Sequence, residues 1–110
     1  MAHRSEIKII VELDNDSVPD SIFWEAKDAG EEMQASEAFI LSLYDADKKE
    51  ALGIDLWSKE MQVPDMGLFY YQTLRRMADT FERATKETEN AQMIRDFARE
   101  FGKKIGLIKK

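Results

Sequence analysis

The hydrophobic period changes once along this chain, and that change decides most of what it can fold into. Residues 6–13 alternate: Ile7, Ile9, Val11 and Leu13 fall on one side, and Glu6, Lys8, Ile10 and Glu12 on the other. A period of two, rich in β-branched side chains, marks a half-buried strand. From Pro64 onward the apolar residues step by three and four, through Met66, Phe69, Tyr70, Leu74, Met77, Phe81 and Ala84. That spacing draws one face of an amphipathic helix. Pro64 suits its first position, where the N–H it lacks would have no partner.

Three more strands precede the switch. Residues 21–26 put Ile22, Trp24 and Ala26 on one face, and residues 37–45 do the same with Phe39, Leu41 and Leu43. After a loop at 45–49, a fourth strand turns Leu52, Ile54 and Leu56 inward. The cluster at 14–20 is rich in Asp, Asn and Ser and reads as a turn. Residues 27–36 are polar, carry Gly30, and read as a loop with a helical turn. Past the first helix, Thr88 is placed to cap a second one that buries Ile94, Phe97, Ala98, Phe101 and Ile105. Gly106 closes it, and Lys103 and Lys104 suit the negative end of its dipole.

The order is therefore four strands, then two helices. Short connections make consecutive strands antiparallel neighbours. The expected fold is α+β: a four-stranded antiparallel meander with the two C-terminal helices packed on one face. A length of 110 residues makes it a single domain, 1–110. With the inward set buried, replacing Leu41, Leu56 or Phe81 by Ala should each cost roughly 2–5 kcal/mol.

The charge is uneven. The net of −6 divides into −10 over residues 1–66 and +4 over residues 67–110. Acidic balance argues against general nucleic-acid binding, and the basic part is interleaved with acids until Lys103, Lys104, Lys109 and Lys110, as on a solvated helix face. No stretch is apolar enough for a secretory signal or a membrane-crossing helix. With no Cys, the expected location is the cytoplasm, without membrane insertion.

Catalytic chemistry finds little material. The absence of Cys removes thiolate metal sites and cysteine nucleophiles. His3 is the one histidine, two residues from the start, where a general base is hard to hold in place. Asp14, Asp16 and Asp20 have part of a calcium-loop spacing, but Pro19 stands where the sharp-turn Gly belongs. Asp45 and Asp47 lack that Gly too, so both clusters read as turns. Asp55 points to the outer face, where Glu12 and Glu25 are candidate partners, and solvated acids are the simpler reading there. The chain is expected not to be an enzyme and to need no cofactor or metal.

The outer sheet face is the more informative feature. Alternation should leave it polar, yet Ile10, Phe23, Ile40, Tyr44 and Trp57 all fall out of phase with the inward set. Such a group marks a candidate surface for a partner or for a second copy of the chain.

Several segments together resemble a known family. They are Ser5-Glu6-Ile7-Lys8, Val11-Glu12-Leu13-Asp14, Val18-Pro19, Trp24-Glu25-Ala26 and Leu41-Ser42-Leu43-Tyr44-Asp45. Residues 54–61, IDLWSKEM, and residues 72–74 with 77–85, QTL and MADTFERAT, complete the set. The whole resembles the GldC family of gliding motility-associated proteins, departing from it at 27–36 and 62–64. That resemblance implies a small cytoplasmic accessory protein of gliding motility, in contact with other proteins of the gliding machinery; the outer face adds the expectation of a homo-oligomer. It supplies no catalytic residue. A weaker likeness is architectural: the expected plan is similar to that of the SecB-type export chaperone, with Ile22-Phe23-Trp24-Glu25-Ala26 echoing a strand there. It implies, as an alternative, a holdase that binds unfolded clients on the outer sheet face.

Overall fold

The computed structural model describes residues 3–109. In chain order it contains β1 (Lys8–Leu13), β2 (Pro19–Ala26), a 3-10 turn (Lys27–Ala29), β3 (Glu31–Ser36), β4 (Ala38–Asp45), β5 (Glu50–Trp57), α1 (Val63–Thr85) and α2 (Thr88–Lys104). The fold class is α+β. The chain divides between Met61 and Gln62 into two compact units, one of strands and one of helices.

The strands form two antiparallel sheets, β1-β2-β3 and β4-β5, in place of the single four-stranded meander that the alternation suggests. The extra strand is β3. Its sequence, EEMQAS, alternates only over the short stretch Met33-Gln34-Ala35-Ser36, but its backbone pairs with β2 through Ile22↔Ser36, Phe23↔Ala35 and Trp24↔Gln34. Polar side chains do not prevent backbone pairing, so the segment expected to be a loop is a helical turn followed by a strand. The break before β4 has a local cause. Ser36 Oγ donates to the Ala38 carbonyl at 2.8 Å, placing a side chain where a ladder partner would sit.

Which side chains share a face follows the alternation. Ile9 pairs with Trp24 and Val11 with Ile22, and Ile22 is only 2% exposed. Ile7 lies before β1 and is exposed, and Leu13 sits at a register shift against Pro19. In the second sheet Phe39, Leu41 and Leu43 stand opposite Leu56, Ile54 and Leu52. Their burial departs from expectation: Leu43 and Ile54 are 60% and 56% exposed, while Leu41 and Leu56 are half-buried. On a two-stranded sheet a side chain loses water mainly to its cross-strand neighbour, so pairing alone leaves the face wet. The cost expected for Leu41→Ala and Leu56→Ala falls accordingly.

Turn chemistry fixes the ends of the strands. Asp14 Oδ1 accepts from the N–H of Asp16 at 2.8 Å and of Val18 at 3.1 Å. Asp45 Oδ1 accepts from Asp47 and Lys48 in the same way. Both acidic clusters are thus Asx-type turns, as the sequence suggests. Lys59 Nζ donates to Asp14 Oδ2 at 3.1 Å, and its N–H donates to the Pro19 carbonyl at 3.2 Å. The residues after β5 are thereby tied to the β1–β2 turn.

In the helical unit α1 and α2 pack along a seam of small residues. Ala78, Ala91 and Ala98 are fully buried, and Gly102 is buried with them. A Cβ at Gly102 would lie 2.8 Å from Tyr71 Cε1 and 2.9 Å from Ile108 Cδ1. Arg95 clamps the helices, donating to Asp79 at 2.9 Å and to Glu82 at 2.7 Å. Thr88 is the first helical residue of α2 rather than its cap, and its side chain bonds the Glu82 carboxylate instead. Gly106 closes the helix as expected. Its φ is 87°, and the Leu107 N–H returns to the Gly102 carbonyl at 2.8 Å. Larger side chains are left outside the seam: Phe97, expected inside, is 61% exposed. Ile105, also expected inside, is exposed, and Phe81 is half-buried.

Two stability predictions follow from these contacts. Gly102→Val overpacks the seam and should lower stability by about 1–3 kcal/mol, read as a lower urea midpoint in far-UV circular dichroism. The second concerns acid. The Val18 amide, the Lys59 ammonium and the Asp16 amide hold the Asp14 carboxyl below its usual range. Its contribution is complete above the unfolded-state value and is lost as pH falls through the lower folded value. Asp14→Asn should therefore flatten the loss of stability between about pH 5 and pH 2 in urea titrations.

Candidate interaction surface

The five out-of-phase residues divide between the two sheets. Ile10 and Phe23 are direct cross-strand partners in the first sheet; Ile10 is exposed and Phe23 half-buried. Ile40 and Tyr44 share a face of the second sheet with Trp57, whose cross-strand partner is Ala38. Pairing runs Ile40↔Asp55, Ser42↔Gly53 and Tyr44↔Ala51, so small or polar residues surround two large aromatics. Tyr44 is 70% and Trp57 58% exposed, high values for side chains that remove so much apolar area when buried.

Alternation underestimated how much apolar surface is open. The opposite face of the same sheet exposes Leu43, Leu52 and Ile54. In the helical unit, Val63, Met66, Tyr70, Phe101, Ile105 and Leu107 line an apolar groove of about 460 Å³ near the start of α1 and the end of α2. The signal for the groove was present in the sequence, because both helices carry more apolar residues than one seam can use. Reading all of them as buried concealed it.

Ser5, Asp28 and His3 meet, but not in the order of a nucleophilic triad. His3 Nε2 lies 3.0 Å from Asp28 Oδ2, and Ser5 Oγ donates to the same oxygen at 2.5 Å. A nucleophilic triad needs the imidazole between hydroxyl and carboxylate. Here the carboxylate is in the middle, so no imidazole is placed to take the proton from Ser5. The Ser5 hydroxyl first, and then His3, hold the Asp28 carboxyl below its usual range. Asp55 stands opposite Ile40, whereas Glu25, 9% exposed, faces Lys8 with Oε1 3.7 Å from Nζ. Among the described residues no group of three or more His, Asp or Glu is placed to hold a metal ion. No helix among them is long and apolar enough to cross a membrane.

The strands and helices together also carry a family signature. The family model described as gliding motility-associated protein GldC-like matches residues 19–107. No curated protein and no solved structure matches the chain. Because the match runs from the first residue of β2 to beyond the end of α2, the chain belongs to the GldC-like family of gliding motility-associated proteins.

Proposed function

We propose that this chain is a non-enzymatic accessory protein of bacterial gliding motility, working in the cytoplasm through contacts with other proteins of the gliding machinery. Family membership supports the process. The observation that carries the mode of action is the open pair Tyr44 and Trp57, on one face of β4–β5. Large aromatics in water gain most by entering a partner's pocket, and such residues dominate binding energy at interfaces.

Deleting the gene in a gliding bacterium should slow colony spreading, and the wild-type chain should restore it. A Tyr44→Ala/Trp57→Ala chain that keeps its far-UV spectrum should fail to restore spreading and lose its partners in a tagged pull-down. Normal spreading of the deletion strain, or full rescue by the double variant, refutes the proposal.

A second reading is favoured by the wet ladder Leu41–Ile54 and Leu43–Leu52, which suits unfolded clients rather than one shaped partner. In that case the chain works as a SecB-like holdase. It should then suppress aggregation of several unrelated unfolded proteins at stoichiometric amounts, and failure with all of them removes this reading.

A further inference from the structure

Among the described residues β4 has a strand partner along one edge only, because its sheet has the order β4-β5. Three observations show which backbone groups face away from β5. The Glu37 carbonyl accepts from the Ser58 N–H at 2.8 Å, so residue 37 faces β5. The Leu41 carbonyl also faces β5, since a Cβ at Gly53 would come within 2.8 Å of its oxygen. The Ala38 carbonyl is taken by Ser36 Oγ and not by β5. Backbone polar groups alternate along a strand, so Ile40, Ser42 and Tyr44 turn their N–H and C=O to the open edge.

An open edge is normally protected by charge, proline or a bulge. The other strands comply. β1 carries Lys8 and Glu12, β3 carries Glu31 and Glu32, and β5 carries Glu50 and Asp55. β4 reads Ala38-Phe39-Ile40-Leu41-Ser42-Leu43-Tyr44 before its first charge at Asp45. Seven uncharged residues of high strand propensity, without proline, make a template for uncontrolled pairing when left open.

We propose that the open edge of β4 pairs antiparallel with β4 of a second copy, giving a continuous four-stranded sheet of order β5-β4-β4-β5 across a two-fold axis. Self-pairing consumes both unprotected edges at once and leaves outside only the charged β5 edges, so the assembly closes at two. Backbone pairing is what the edge offers: Ile40, Ser42 and Tyr44 of one copy can exchange N–H···O=C bonds with the same residues of the other.

Light scattering after gel filtration tests this at micromolar concentrations. The wild-type chain should weigh twice 12.8 kDa. Ser42→Pro removes an N–H that points away from β5, so it should halve the mass and leave the far-UV spectrum unchanged. A monomeric wild-type chain, or a Ser42→Pro chain that remains a dimer, overturns the proposal. Should Ser42→Pro fail to fold, cross-linking decides. The natural chain has no Cys, so single Cys residues replacing Ile40, Ser42 or Tyr44 report only their own surroundings. A short bis-maleimide should link at least one of them into a covalent dimer with at least tenfold higher yield than Gln92→Cys on α2. Yields no higher than that control at all three positions, or linkage only to other proteins in cell extract, overturn it.

Discussion

A strand pair cannot bury its own faces, and much else in this structure depends on that limit. Each side chain on β4 or β5 meets one cross-strand neighbour and its diagonals, while the remaining directions face water. The ladder Phe39–Leu56, Leu41–Ile54, Leu43–Leu52 is therefore complete in pairing and incomplete in burial. A hairpin of this kind is marginal in water without another surface against it. The helical unit meets the same limit differently. Its seam uses Ala78, Ala91, Ala98 and Gly102, so the two helices approach closely, with Tyr71 against Gly102, while Met77, Met93 and Phe97 stay exposed.

What was legible in the sequence follows from what periodicity encodes. A period of two reports which side chains share a face, and Ile9, Val11, Ile22 and Trp24 do share one. Steps of three and four located α1 and α2 well, because apolar stripes, Pro64 and Gly106 all agreed there. The Asp-rich turns were legible because their side chains act locally, on amides two to four residues away. Periodicity cannot report what covers a face, so Leu43, Ile54 and Phe97 stand in core phase and are nevertheless exposed. β3 was invisible for a different reason. Its pairing is carried by backbone groups, which every residue type supplies, while its side chains give only the short alternation Met33-Gln34-Ala35-Ser36. Thr88 shows a third cause: a good capping residue is drawn off by a nearby carboxylate that only the folded hairpin brings close.

The out-of-phase apolar residues belong to one face by alternation and to two sheets in the fold. Ile10 and Phe23 meet across β1–β2, while Ile40, Tyr44 and Trp57 lie on β4–β5. The break at Glu37 causes this, since it ends one sheet and begins the next inside what alternation treats as a single frame. The two groups differ in character. Phe23 is half-buried and has a large cross-strand partner, so part of its area is already used. Tyr44 and Trp57 face Ala51 and Ala38, which cover little of them. Contact energy should therefore concentrate on the second sheet.

The titratable groups support the same division of labour. The Asp14, Asp28 and Glu82 carboxyls are held below their usual range, and Lys59 and Arg95 are held above theirs. Every one of these shifts favours the charged form, and in each a hydrogen-bonded partner is the largest cause. Groups that exchange protons near neutral pH need the opposite, an acid pushed up or a base pushed down by burial. Asp14 with Lys59 fixes a turn, and Glu82 with Arg95 fixes a helix pair. These ion pairs hold a turn and a helix pair in place, while large apolar side chains stay open on β4–β5 and along the helices.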